Sequence, residues 1–174
     1  MGLAAFVTGV AAILLFITIL MQPTDELYLL IPGLVATVAV IPVFYGLYVV
    51  LRSGSPVLGA IGFASGILSQ AIALPIIVAP ITWVTDFMFS LLFGIAGVLQ
   101  GVAILLFSYL GYRGHGMPLV LCVLGVIAAI ASFAGAIVDI VNLLSIPIVA
   151  LWVFLLGYLF VSNRLVRTSA QAMP

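Results

Sequence analysis

Between Arg52 and Asp86 runs Ser53–Thr85, SGSPVLGAIGFASGILSQAIALPIIVAPITWVT, a stretch of 33 residues without a charge. Coiled as an α-helix rising 1.5 Å per residue, about 20 such residues cross a hydrocarbon layer of roughly 30 Å. The stretch is therefore read as a membrane span with a turn at each end, Ser53-Gly-Ser-Pro56 before it and Thr82–Thr85 after it. Its flanking charges are opposite in sign, as expected of two ends lying on opposite faces of a bilayer.

The rest of the chain repeats the pattern. Only eight residues are charged: Asp25, Glu26, Arg52, Asp86, Arg113, Asp139, Arg164 and Arg167. They leave charge-free stretches of 24, 25, 33, 26, 25 and 24 residues, each long enough to cross. Along the chain acids and arginines alternate, so six spans place every arginine on one face and every acid on the other. Arginine near a span end is retained in the cytoplasm. The expected fold is all-α, a polytopic membrane bundle of six transmembrane helices, both termini cytoplasmic, with spans at about 3–21, 27–51, 57–79, 87–110, 118–138 and 145–163. Tyr45, Tyr48, Tyr109, Tyr112 and Tyr158 gather at the arginine ends and Tyr28 and Trp83 at the acidic ends, as interfacial aromatic belts do.

Composition agrees. Of 174 residues, 67% are hydrophobic and 5% charged, with a mean hydropathy of +1.54; soluble domains carry roughly 25% charge. Met1–Met21 has no basic leader segment and no small-x-small cleavage site before Gln22, so it is read as the first span. The loops are short, which makes consecutive helices antiparallel neighbours in a single transmembrane domain.

In lipid, helices gain little from hydrophobicity against one another, so small residues that admit close backbone contact are expected at the interfaces. Three stripes qualify: Gly59, Gly62, Gly66 and Ser69 in the third span, Ser90, Gly94, Gly97 and Gly101 in the fourth, and Gly125, Ala128, Ser132 and Gly135 in the fifth. Gly62, Gly66, Gly97 and Gly101 are the packing residues singled out. Polar candidates are few. Gln70 and Gln100 fall near the middle of their spans and, with Ser69, are expected to hydrogen-bond across helices or to line a substrate path. Pro75 removes the hydrogen bond that would reach the carbonyl of Ala71, freeing a polar group beside Gln70. Pro32, Pro42 and Pro147 make comparable breaks. Asp139, following Ser132 and Gly135 along the fifth helix, is expected with Asn142 to form a polar site at the outer end.

Several chemistries lack their residues. There is no lysine for a retinal Schiff base, and the single histidine, His115, leaves no ligand set for haem or zinc. Cys122 is the only cysteine, so no internal disulfide exists. No serine or cysteine has the histidine or acid a nucleophile requires, and no phosphate-binding glycine motif occurs. The chain is thus expected to have no catalytic residues, no metal and no cofactor, and not to act as an enzyme.

The run Gly111–Ala131, GYRGHGMPLVLCVLGVIAAIA, resembles the tyrosine-arginine-glycine, proline and leucine-glycine signature of a family of six-helix prokaryotic membrane proteins known only as a domain of unknown function. The similarity extends over about 90–158 and includes Ala150-Leu-Trp152. It implies a six-helix fold in a prokaryotic plasma membrane, and no activity comes with it.

The function expected is that of an accessory or scaffold subunit, assembling laterally with other membrane proteins or with copies of itself. The alternatives are a small carrier or pore for a neutral or weakly polar solute, using the glutamines, and a lipid- or quinone-binding protein. The lipid bilayer is the expected partner in every case, and nucleic acid in none.

Overall fold

A computed structural model describes residues 1–21, 27–78, 86–114 and 116–162. They form six helices: α1 (Gly2–Met21), α2 (Leu27–Leu51), α3 (Pro56–Val78), α4 (Asp86–Arg113), α5 (Leu119–Gly135) and α6 (Asp139–Val161). Among the described residues there is no strand. Five of the helices are long and apolar enough to cross a membrane; α5, equally apolar, has 17 residues. At 1.5 Å per residue α5 rises about 25 Å, at the short end of the spanning range.

Each helix packs against its neighbours in sequence, and α1 packs against α6, closing a ring. Close approaches fix the directions. Gly59 at the start of α3 lies against Tyr48 and Arg52 at the end of α2, while Gly33 at the start of α2 meets Ile77 at the end of α3. Gly101 of α4 meets Phe133 of α5, and Gly111 meets Met117. Gly2 of α1 meets Gly157 and Val161 of α6, and Gly9 meets Ala150 and Phe154. All neighbours are antiparallel. Met1, Arg52, Arg113 and Val161 consequently share one end of the bundle, and Asp86 and Asp139 open helices at the other.

The ring is filled, and unevenly. The largest fully enclosed side chains are Trp152, Phe44, Phe107, Leu47, Ile104, Leu110 and Leu156. These lie towards the arginine end, where Phe44 and Phe107 stack at 6.1 Å between centroids. Towards the other end the enclosure thins: residues 12–21 of α1 contain no buried position, and among the described side chains of α4 none before Ala96 is buried. Outward faces carry exposed Ile13, Leu14, Ile17, Leu68, Ile130 and Leu151, which the hydrocarbon of a bilayer solvates.

The helix ends have local causes. Pro56 opens α3, where its missing N–H is one the helix would leave unpaired anyway. Pro118 precedes α5 in an extended conformation (φ −58°, ψ 141°), which a residue of fixed φ adopts readily. The fifth helix stops at Gly135, three residues before the end expected from sequence. Ala136 and Ile137 form a turn and Val138 is extended (φ −128°, ψ 112°). This corrects one expectation: Asp139 does not continue the fifth helix but is the first residue of α6.

Candidate functional site

The polar candidates of α3 separate when built up from the backbone. Ser69 is almost wholly enclosed and its Oγ donates to the carbonyl of Ala96 on α4 at 2.8 Å. That bond is the clasp between the two helices. It also sets their register: Ser69 is level with Ala96, one turn short of Gln100. A turn rises about 5.4 Å, and a glutamine already committed to one level does not meet its counterpart on the next. Among the described residues no hydrogen bond joins Gln70 and Gln100. Gln70 is buried, at 7% exposure, while Gln100 is half-buried. Ala71 and Pro75 lie on the exposed face of α3, so the break at Pro75 is turned away from the buried Gln70.

The glycines singled out from sequence all lie at helix contacts. Gly62 faces Leu106 and Phe107 of α4, where an added Cβ would sit at ordinary contact distance, 3.4 Å. Gly66 faces α2 instead. A Cβ there would meet the ring of Phe44 at 2.6 Å. Gly97 lies against the carbonyl of Ser132 and Gly101 against the ring of Phe133, both on α5. The stripe of α3 thus serves two neighbours at once, and that of α4 serves the α5 contact. Asp139 and Asn142 both belong to the first turn of α6, and their side chains lie outside the described residues.

One buried constellation was not anticipated. Gly125 of α5 is the point where α4 and α6 converge: Ser108 Oγ presses against it from one side and Trp152 Nε1 from the other. Both atoms are fully buried and without a hydrogen-bond partner. Contact with a glycine Cα–H supplies the hydroxyl oxygen with a weak acceptor interaction of the kind recurrent at close helix crossings. Gly125 itself was visible as part of a stripe. Nothing in the sequence pairs it with Ser108 and Trp152, which are 17 residues before it and 27 after.

Among the described residues a groove of about 480 Å³ lies on the outside of α4, lined by Ser90, Leu91, Gly94, Ile95, Val98, Leu99, Ala136 and Ile137. It exists because α5 ends at Gly135 while α4 continues past it to Asp86. Its lining is apolar apart from Ser90.

Together these features define a class: an all-α, polytopic integral membrane protein whose polar side chains serve helix contacts and whose described charges lie at the ends of the bundle. No protein family matches the chain, and no curated protein or solved structure matches it either.

Proposed function

We propose that the chain is a non-catalytic subunit that spans the bilayer six times, with both termini cytoplasmic, and assembles laterally through the groove on α4. The observation that carries this reading is that groove. The other small-residue faces are occupied within the ring, by α2, α4, α5 and α6. Ser90 is exposed at this concavity, and Gly94 beside it is backed by the Ala136 carbonyl, 3.0 Å from where its Cβ would stand. Leu91, Ile95 and Val98 beside them are exposed. A membrane helix of a partner, or of a second copy, supplies apolar side chains of the right kind.

Gentle purification followed by intact-complex mass spectrometry tests the reading. A stoichiometric assembly is expected, and Leu91→Trp, which fills the groove without touching the ring, should dissociate it. A lone monomer from both parent and variant would overturn the proposal. One observation favours the carrier reading instead: Gln70 is buried and has no hydrogen-bond partner among the described residues. Retention of assembly with loss of a solute flux in Gln70→Leu would decide for the carrier.

The six-span topology has its own check. In a Cys122→Ser background, single cysteines at Ser53 and Gly114 should react with an impermeant thiol reagent from the cytoplasmic side only. Cysteines at Thr85 and Ile137 should react from the outside only. Because α5 is the shortest helix, the Gly114 and Ile137 pair is the decisive one. Labelling of both from one side would mean that α5 does not cross.

A further inference from the structure

The arginine end of the bundle contains a second site. Arg52, the first residue after α2, is exposed, and its guanidinium carbon stands 5.9 Å from the centroid of the Tyr48 ring. Tyr48 is itself stacked on Phe63 of α3 at 5.5 Å, and Tyr45 meets the edge of Phe63 at 6.1 Å. Tyr48 lies beneath the cation and is itself braced by the Phe63 ring. The turn that follows is short and tied down: the Gly54 N–H donates to the Leu51 carbonyl, and the Leu58 N–H to Ser55 Oγ. Gly54 also lies near the side chain of Leu110, one turn before Arg113, so the second exposed arginine belongs to the same rim.

Neither arginine makes an ion pair among the described residues. The acids that open α4 and α6 are a full helix length away. A guanidinium set over a ring still has N–H groups to give, and its fork matches two oxygens of a phosphate bidentately. In a chain embedded in a bilayer, the phosphate at this depth belongs to lipid, since helix ends and tyrosines mark the headgroup layer.

We propose that the rim of Arg52, Tyr48 and Arg113 is a binding site for the phosphodiester headgroup of an anionic phospholipid. The rim takes the phosphate between the two arginines, with the exposed hydroxyl of Ser53 as a neighbouring donor, while the acyl chains run along the lipid-facing side of α2 and α3. The site is independent of the groove on α4 and stands whether or not the chain assembles with a partner.

The test uses the full chain, delipidated in detergent and titrated with phosphatidylglycerol or phosphatidylcholine of identical acyl chains, with bound lipid counted by native mass spectrometry. Phosphatidylglycerol should bind about fivefold more tightly for each arginine engaged. Arg52→Gln should remove most of that preference, and Tyr48→Leu, which keeps the charge but removes its floor, should weaken it. Both positions are at the rim, and unchanged thermal melting of each variant in phosphatidylcholine will confirm that the bundle is intact. Equal retention of the two lipids by the parent, or undiminished preference in Arg52→Gln, would overturn the proposal. Inorganic phosphate at matched concentration should leave the bound lipid in place; displacement by it would assign the rim to a soluble anion and overturn the lipid site.

Discussion

Alanine at Gly125 is expected to cost the bundle about 3 kcal/mol of stability, the upper part of the range for forcing extra volume into a tight core. The added methyl would coincide with Ser108 Oγ and stand 2.6 Å from Trp152 Nε1. Neither neighbour has room to retreat, since both residues are at 1% exposure. Equilibrium unfolding in mixed micelles measures the loss. In a Trp83→Phe background the fluorescence of Trp152 reports locally on the same event. Ser108→Gly added to Gly125→Ala should recover only part of the stability, because the indole remains in the way. A Gly125→Ala variant that unfolds with the parent would mean that the three helices do not converge there.

The second large effect is expected at Gly66, and its contrast with Gly62 makes it diagnostic. The two glycines are one turn apart on α3 and look equivalent in sequence. At Gly66 the new Cβ would lie within 2.6–2.9 Å of the Phe44 ring, which is enclosed and stacked on Phe107 and so cannot swing aside. Gly66→Ala should therefore destabilise by about 2 kcal/mol. At Gly62 the nearest atoms are at 3.4 Å, and Gly62→Ala should change stability by less than about 1 kcal/mol. Phe44→Leu should restore much of what Gly66→Ala loses, whereas it has nothing to relieve at Gly62. Equal melting of the two alanine variants would show that α3 is rotated relative to α2.

These two sites mark the limit of what the amino-acid order conveys. Hydrocarbon length and the alternation of Arg52, Asp86, Arg113 and Asp139 were enough to expect six helices, because the bilayer imposes a length that local composition must match. The stripes of small residues were legible for a similar reason, since close backbone approach admits little besides glycine, alanine and serine. Which neighbour each glycine meets was not legible. Gly66 turns to α2 and Gly62 to α4 by a rotation that only three-dimensional packing sets. Gln70 and Gln100 were misleading because both fall near the middle of their spans, yet the Ser69–Ala96 bond sets Gln100 about one turn away from the level of Ser69. Asp139 was placed on the fifth helix because it follows Ser132 and Gly135 at helical spacing, but the backbone turns at Ala136–Val138. The contact between α1 and α6 had a signal that passed unused: Gly2, Ala5 and Gly9 on one helix answer Ala150 and Gly157 on the other.

That last contact bears on how the molecule is made. Gly2 touches Val161, so α1 finds one of its two neighbours only after α6 has been synthesised. Until then α1 is held by α2 alone and presents Ala5 and Gly9, residues chosen for a backbone that has not arrived. Closure of the ring thus waits on α6, and an arrest before α6 emerges leaves an open arc with a narrow glycine face available to any passing helix.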